Sequence, residues 1–459
     1  MNSLEDDVVS IRFQRANRDE VWLLPPSIQE WLPDDHLARF VVEIVESLDL
    51  DKITGVYRHG GKPAWCPVMM TALLFYGYST GVHSSRKLEA ATHDSVAVRH
   101  VTGNLHPDHD TIARFRKRHL PALQELFVQV LSIAGTMGML KLGHVSLDGT
   151  RVKADASRHR AMSHAHMERI EAQLKAEVAR LLELAEVADE QECALDIPEE
   201  LGRRQERLAK IAEARKEIEA RAAARHAAEQ AACEEKMQER RQKERERGGK
   251  LGGLPPKPPV PGPRPRDQIS FTDPDSRIMP PAGGFEQALG ARASVDHGSH
   301  LIVHAHVSRR PNDVGGTAPA LAALEDVGSP AGIVADTGYF SRANVELCDD
   351  RGIEPLIASG RQHHNRPLRE RRVPVTEPPA DADAVERMKH RMGSAEGERI
   401  YAKRKAAARP VFGIIKRVMG FDQFSLRGIE AVHGEWSLVC TSWNLKRMHR
   451  LLLGGHSAA

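Results

Sequence analysis

The spacing of apolar positions changes along the chain. Residues 1–140 carry apolar side chains at helical intervals, interrupted by Pro and Gly turns. Residues 157–250 are rich in Ala, Glu, Arg and Leu, with few aromatic side chains, and Pro198 and Gly202 are expected to divide them into two helical arms. Ordinary globular sequence resumes at residue 267. The pattern predicts a helical N-terminal domain, a long helical insertion and an α/β unit.

The part after the insertion alternates strand and helix patterns. Leu289–Val295 and Leu301–Val307 are β-rich runs joined by a short Gly-containing turn, which predicts a hairpin. Gly332–Ala335 predicts a short buried strand. The remaining expected elements are the helices Thr317–Val327 and Arg342–Asp350 and the strand Pro355–Ala358.

The two parts that carry strands are expected to form one domain. Residues 141–156 hold a strand pattern that is separated from the strands of residues 267–450 by the helical insertion 157–250. This order indicates an α/β domain interrupted by an insert. Residues 251–266 contain seven prolines and three glycines, which cannot hold a helix or a central strand and are expected to form a mobile or polyproline-like connector.

Two aspartates follow apolar runs. Asp148 occurs in Val-Ser-Leu-Asp-Gly-Thr and Asp336 occurs in Ile-Val-Ala-Asp-Thr-Gly, so each is expected at the end of a buried strand. Carboxylates on neighbouring strand ends can share divalent cations, because Mg²⁺ prefers hard oxygen ligands and needs only one or two from the protein. The pair is therefore a candidate metal site.

Charge is distributed rather than concentrated. The chain has 459 residues, of which 41% are hydrophobic, so it can bury a sizeable core with more than one structural unit. Its net charge is only +2, so nucleic-acid binding would have to come from local basic faces. Arg114, Lys117 and Arg118 recur at three- and four-residue spacing on a predicted helix and could lie along phosphates. The alternative is an ordinary solvated helix face.

Several classes of protein do not fit the sequence. Five scattered cysteines without a Cys-x-x-Cys pair argue against a disulfide framework and a zinc ribbon, and favour a reducing cytosol. The acidic start lacks a signal core and no apolar stretch is long enough for a membrane span, so a cytoplasmic protein is expected. The Gly-rich segment 248–253 lacks the spacing of a phosphate-binding loop, so no nucleotide cofactor is expected.

Four ordered motifs carry a family resemblance. They are Ser-Leu-Asp-Gly-Thr-Arg-Val-Lys-Ala-Asp around Asp148, Thr-Asp-Pro-Asp-Ser-Arg-Ile-Met, Ala-Asp-Thr-Gly-Tyr-Phe-Ser around Asp336, and Tyr401-Ala-Lys-Arg404 through Phe-Gly-Ile-Ile-Lys416. Together they resemble insertion-sequence transposases of the IS1182 type, within the IS4/IS5-like group, over nearly the whole chain. The resemblance implies a ribonuclease H-like catalytic domain with an Asp-Asp-Glu site.

The resemblance also implies a reaction and its partners. Such enzymes use Mg²⁺ or Mn²⁺ to cut DNA at the ends of a mobile element and to join those ends to a target. Asp148 and Asp336 would be the metal ligands, and Tyr401, Arg404 and Lys416 would contact phosphates. The expected partners are terminal inverted repeats, target DNA and a second copy of the chain in a homodimer. When bound to DNA, the chain is expected to be associated with the nucleoid of a bacterial cell.

Arg409 stands where related transposases have the third acid. A guanidinium cannot ligate a metal and stays protonated near neutral pH, so it brings positive charge to the expected position of two cations. Two interpretations remain, a catalytically weakened copy and a variant whose third ligand comes from elsewhere, and the first is favoured. The alternative function is a catalytically inactive DNA-binding remnant or repressor of transposition.

A phosphatase of the haloacid dehalogenase type is a less favoured alternative. Leu-Asp-Gly-Thr also resembles the nucleophile motif of those enzymes. That chemistry needs a second aspartate two residues before the one in Asp-Gly-Thr, and Ser146 occupies the position. The acid pair of a phosphatase is therefore broken.

Overall fold

A computed structural model describes the fold of most of the chain. It is a mixed α/β protein, in which 61% of the described residues are helical, built around one mixed β-sheet. The described residues are 27–57, 64–157, 160–188, 197–249, 252–279, 286–309, 313–360 and 382–456.

Helices make up the described N-terminal part. They are α1 (Leu37–Glu46), α2 (Asp51–Thr54), α3 (Pro67–Thr80), α4 (Ser85–Asp94), α5 (Val96–Val101) and α6 (His109–Thr136). α3 is buried around most of its circumference, as expected from its continuous apolar run. Asp108 precedes α6, and its side chain accepts a hydrogen bond from the Thr111 N–H at 2.8 Å and so caps the helix.

The sheet is built from strands on both sides of the insertion. Its strands are β1 (His144–Lys153), β4 (Arg277–Met279), β5 (Glu286–Asp296), β6 (Ile302–Ser308), β7 (Gly332–Ala335) and β8 (Glu354–Ile357). Their order is β4-β5-β1-β7-β8, and β6 also pairs with β5. β1 is antiparallel to β5 and parallel to β7, and β7 is parallel to β8. The central position therefore belongs to β1, the strand that precedes the insertion.

Helices cover the sheet and join it to the N-terminal part. They are α9 (Thr317–Glu325), α10 (Arg342–Asp349), α11 (Ala384–Gly393), α12 (Ala395–Arg417) and α13 (Ile429–His456). α12 packs on β1, β5 and β7, whereas α13 packs between β6 and the helices α3 and α6. Trp436 of α13 is fully buried and donates its indole N–H to the Arg292 carbonyl at 2.9 Å. One continuous hydrophobic core thus includes the N-terminal helices and the sheet.

The insertion differs from the prediction in one respect. It contains α7 (His164–Ala188) and α8 (Ile197–Arg247), with the short strands β2 (Ala161–Ser163) and β3 (Gln268–Ser270) paired at its base. The expected two arms are present and Pro198 lies in the first turn of the second, but Gly202 does not separate them, because α8 starts at Ile197 and continues through Gly202. Proline is well tolerated in the first helical turn, and one interior glycine costs only about 1 kcal/mol.

The connector lies along α8. Residues 252–267 contain no helix or strand in the part that is described. Arg264 forms an ion pair with Glu229 at 2.9 Å, and Arg240 donates to the Gly253 carbonyl at 2.8 Å. The connector is therefore fixed to the helix by side chains of α8, without secondary structure of its own.

Among the described residues, no helix combines the length and the apolar character needed to cross a membrane.

Candidate active site

Asp148 lies in the middle of β1, not at its end as the sequence suggested. Pairing with β5 continues past Asp148, which stands opposite Ala293, as far as Lys153. Val145 and Leu147 are fully buried on one face of the strand. Because side chains alternate along a strand, Asp148 points to the other face, towards α12. The long antiparallel partner thus fixes the position of the first carboxylate.

Burial and hydrogen bonding act on Asp148 in opposite directions. Its side chain is 15% exposed, and this burial raises its pKa above the ordinary value. A hydrogen bond from the Gly149 N–H at 2.9 Å lowers the pKa, as does the positive charge of Arg404. Asp148 is therefore a partly dehydrated carboxylate beside a cationic group, which is an arrangement common at functional sites.

Asp336 follows β7 directly, as the sequence predicted. All four residues of β7 are buried, and the Asp336 carboxylate accepts a hydrogen bond from the Gly338 N–H at 2.9 Å at the start of a short 3-10 turn. Leu147 of β1 stands opposite Ala335 of β7 in the parallel pair. The next residues along the two strands are Asp148 and Asp336, so the register brings the two carboxylates side by side.

Arg404 of α12 lies between the two carboxylates. Its Nη1 is 3.8 Å from Asp148 Oδ2 and 3.9 Å from Asp336 Oδ2. The side chain is buried, and its Nε has no hydrogen-bond partner among the described residues. Its guanidinium also lies over the Tyr401 ring, 5.6 Å from the centroid. Arg404, which the sequence led us to expect at the DNA backbone, therefore lies between the two carboxylates.

The other predicted residues of α12 lie at the edges of this site. Arg409 is exposed on α12, and its positive charge is one of the weaker influences that lower the pKa of Asp148. Lys416 is half-buried, burial lowers its pKa, and its Nζ donates to the Arg151 carbonyl at 2.5 Å. Lys416 thus connects α12 to β1 in this structure and does not reach the carboxylates.

Hard oxygen ligands dominate the site. Among the described residues, no group of three or more His, Cys, Asp or Glu side chains is arranged to hold a metal ion. Two adjacent carboxylates are nevertheless sufficient for Mg²⁺, which keeps several waters and is completed by phosphate oxygens of a substrate. The donor set of Asp148 and Asp336 fits a cation of this kind and offers nothing to a soft metal.

Two sequence models of protein families match separate parts of the chain. Residues 26–118 match a Transposase domain (DUF772), and residues 353–449 match a Transposase DDE domain. Both are transposase domains, and they support an insertion-sequence transposase. The second match includes α12 with Arg404 and Arg409, although Asp148 and Asp336 lie outside it. Neither a curated protein nor a solved structure matches the chain.

The basic residues predicted on α6 lie inside the first matched domain of the transposase. Arg114, Lys117 and Arg118 are all exposed, and they line a cavity of about 600 Å³. Arg118 lies over the Tyr57 ring, 5.6 Å from its centroid. These three cations share one face of α6, as their spacing predicted, and they are not part of the carboxylate site.

A buried polar cluster joins the two matched regions of the transposase. Glu435 of α13 accepts hydrogen bonds from the Ser425 hydroxyl at 2.6 Å and from the Leu426 N–H at 3.1 Å. Tyr78 of α3 donates to the same carboxylate at 3.5 Å and accepts from Arg116 of α6 at 2.8 Å. Burial raises the pKa of Glu435, although these hydrogen bonds oppose the shift. The cluster fixes the N-terminal helices to the unit that carries the carboxylates.

Three residues that the sequence did not single out lie beside the carboxylates. Arg292 of β5 is almost fully buried and forms an ion pair with Asp313 at 3.3 Å. Tyr339, in the turn after Asp336, is fully buried. A charged residue within the otherwise apolar run of β5 was the available signal for Arg292. The sequence carried no comparable signal for Asp313.

Proposed function

We propose that this transposase binds the ends of an insertion sequence and catalyses metal-dependent DNA cleavage and strand transfer. The observation that carries the proposal is the convergence of Asp148 and Asp336, from neighbouring parallel strands, on one buried Arg404. A mixed sheet with β1 at its centre, antiparallel to β5 and parallel to β7, suits the proposed ribonuclease H-like catalytic domain. We assign this domain to residues 141–156 and 267–450.

Asp148 and Asp336 are the residues that hold Mg²⁺ or Mn²⁺ in this proposal. When bound, such ions activate water or a terminal 3′-hydroxyl and stabilise the leaving oxygen of the scissile phosphate. The Gly149 and Gly338 N–H groups orient the two carboxylates by hydrogen bonds of 2.9 Å each. No covalent protein nucleophile is required for this chemistry.

The cations of α12 are proposed to hold the DNA backbone. Arg404 is already between the carboxylates, where a phosphate group would lie, and Tyr401 supports its guanidinium from one side. Arg and Lys side chains commonly position DNA through phosphate oxygens. Lys416, whose Nζ donates to the Arg151 carbonyl of β1, is the second cation of α12 proposed to contact phosphates.

Arg409 is proposed to impair the reaction. Its charge acts on Asp148, where a metal cation would have to bind. Like charges repel, and water screens the exposed Arg409, so its charge disfavours cation binding only modestly. This observation also favours a second candidate function, in which the chain binds element ends without cutting them and acts as a repressor or an inactive remnant.

The N-terminal helical domain, residues 1–140, is proposed to recognise the element ends. The exposed cations Arg114, Lys117 and Arg118 lie on one face of α6. Phosphate contacts from such a face give binding that weakens steeply as salt concentration rises. Two ends must be joined in one reaction, so we propose a homodimer in the DNA complex. The helical insertion 157–250 and the connector 251–266 complete the proposed domain organisation.

A cleavage assay on labelled element ends tests the two candidate functions. If the chain is an active transposase, the ends should be nicked in a reaction that requires Mg²⁺ or Mn²⁺, and the nicking should disappear in Asp148→Ala. Asp326→Asn, which changes an exposed carboxylate at the end of α9, serves as a control and should cut like the original chain. Salt-sensitive binding to the ends without any nicking would support the repressor or remnant instead.

Arg409→Glu tests the proposed impairment. The variant supplies the carboxylate that related transposases have at this position and removes a positive charge, so release of a donor element in cells should rise by at least about tenfold, equivalent to about 1.4 kcal/mol. A matched exposed cation on the same helix, changed as Arg399→Glu, controls for the loss of net positive charge. If Arg409→Glu releases no more donor than the original chain, position 409 does not limit the reaction.

A further inference from the structure

Asp313 lies against the same space as the two site carboxylates. A methyl group placed at Gly338 would be 3.0 Å from Asp336 Oδ1 and 3.3 Å from Asp313 Oδ2, so both carboxylates border one point. A methyl group placed at Gly149, the neighbour of Asp148, would be 3.4 Å from Asp313 Oδ1. Asp313 therefore lies next to both glycines that follow the site aspartates in the chain.

A buried hydroxyl is directed to the same space. Tyr339 is fully buried, and its hydroxyl has no hydrogen-bond partner among the described residues. It lies 3.5 Å from the methyl position at Gly149. Burial raises the pKa of Tyr339. The negative charge of Asp313 raises this pKa further, and by more than the charge of Asp148 or Asp336 does. Buried hydroxyls without a partner are rare in folded proteins, so this one points to a bound group or its water in the site.

A buried arginine holds Asp313 in place. Arg292 Nη2 and Nε are each 3.3 Å from Asp313 Oδ1, and the Arg292 side chain is 2% exposed. The Asp313 side chain is 40% exposed, so it borders solvent on the side away from Arg292. The ion pair orients one carboxylate oxygen towards the protein and leaves Oδ2 on the side of Asp336. This arrangement resembles a metal ligand that is oriented by an outer partner.

We infer that Asp313 is the third acidic ligand of the divalent-cation site, in the role that a glutamate at position 409 has in related transposases. The inference rests on the proposed function, because it concerns the same metal site. Asp148, Asp336 and Asp313 do not form a closed group of three ligands among the described residues, so water and substrate phosphate oxygens would have to complete the coordination of an ion held there. The Tyr339 hydroxyl would donate a hydrogen bond to a water or oxygen ligand of that ion. The chain thus retains three carboxylates although position 409 is an arginine.

Mn²⁺ binding by the full chain without DNA tests the inference. Isothermal titration compares the original chain with Asp313→Asn, Asp336→Asn and the control Asp326→Asn. Loss of either ligand should weaken Mn²⁺ binding by at least about tenfold, since even outer partners of metal ligands contribute that much. Asparagine keeps the size of Asp313 and an oxygen for Arg292, and thermal unfolding followed by circular dichroism verifies that each variant is folded.

The outcomes separate the inference from the proposed function. If Asp336→Asn weakens Mn²⁺ binding and Asp313→Asn does not, Asp313 is only the counter-ion of Arg292 and the inference is wrong, while the proposed site stands. If the original chain fails to bind Mn²⁺, or no variant alters binding, the proposed metal site itself is wrong and the inference is lost with it.

Cleavage of the chain by bound iron provides a test that needs no variant. Fe²⁺ with ascorbate and peroxide produces hydroxyl radicals that cut the backbone close to the ion. Cuts around Asp148, Asp336 and Asp313 that Mn²⁺ suppresses would support the inference. Cuts around Asp148 and Asp336 without any near Asp313 would overturn it, even if Asp313→Asn does not fold.

Discussion

Replacing Arg404 with Gln is expected to tighten Mn²⁺ binding while slowing DNA cleavage. The guanidinium Nη1 is 3.8 Å from Asp148 Oδ2 and 3.9 Å from Asp336 Oδ2, so a cation approaches the carboxylates against this charge. At an effective dielectric constant near 20, each contact corresponds to about 4 kcal/mol. The Asp336 side chain is 41% exposed, so water reduces its contact to about 1 kcal/mol or less.

Because Asp148 is only 15% exposed, its contact with Arg404 accounts for most of the competition between the guanidinium and a metal cation. The buried guanidinium has lost hydration, and this cost offsets much of its attraction to the carboxylate. Removing the guanidinium should therefore make the free energy of Mn²⁺ binding more favourable by roughly 1.4–2.7 kcal/mol, which corresponds to about a ten- to hundredfold lower Kd. Cleavage should fall because Arg404 also holds the DNA phosphate in the proposed function.

Isothermal titration with Mn²⁺ at low ionic strength measures the first effect, and nicking of labelled element ends measures the second. Arg399→Gln on the exposed side of α12 is the matched control, because it removes the same charge away from the carboxylates. An unchanged or higher Kd in Arg404→Gln would refute the reasoning. It would mean that the guanidinium helps to assemble the carboxylates and does not compete with the cation.

Two further predictions concern stability. In Gly434→Ala the new methyl group would lie 2.5 Å from Leu120 Cγ, so urea unfolding should show a loss of about 1–3 kcal/mol. Gly413→Ala, a helical position with no atom of another segment within 4 Å, should instead gain up to about 1 kcal/mol, and equal stabilities would contradict this steric argument. Burial lowers the pKa of His304 to about 3 from an ordinary value of 6.5. The contribution of the neutral imidazole to the free energy of unfolding is therefore fully present above pH 6.5 and is lost as the pH falls towards 3. His304→Asn should reduce the slope of unfolding free energy against pH in that window by up to about 1.4 kcal/mol per pH unit, and an unchanged slope in urea titrations would disprove the assignment.

Elements with strong local signals could be predicted from the sequence. The strand Gly332–Ala335 occurs as predicted, and the predicted hairpin corresponds to Glu286–Asp296 and Ile302–Ser308. Apolar runs between turn residues determine such elements locally, because burial and turn chemistry agree. The mixed α/β class, predicted from the alternation of strand and helix patterns, and the transposase resemblance, carried by the four motifs, are confirmed.

Features that depend on distant partners could not be predicted in the same way. Gly149 and Thr150 look like a turn after Asp148, yet β1 continues because β5, far along the chain, pairs with it. Arg404 was expected on a DNA-facing surface, and only packing of α12 on the sheet brings it between the carboxylates. The roles of Asp148, Asp336 and Arg409 in catalysis stay predictions.

The missed residues show the same limitation more strongly. Asp313 belongs to the segment between β6 and α9, and its position beside Gly338 results from tertiary structure alone. A buried charge such as Arg292 requires a partner, but the sequence does not say which of many acidic residues supplies it. Local patterns therefore indicated the first two carboxylates, whereas the third required the folded chain.

The length of α8 has a mechanical consequence. The helix contains 51 residues and so rises about 77 Å. Arg225, near its middle, pairs with both Asp267 oxygens at 2.9 Å, and Arg221 donates to the Pro274 carbonyl at 2.6 Å, just before β4. The middle of the helix is thus attached to the segment before β4, and each half is about as long as one turn of B-form DNA. A displacement of the helix at this point would act on β4, which pairs with β5, the strand that carries Arg292 beside the carboxylates.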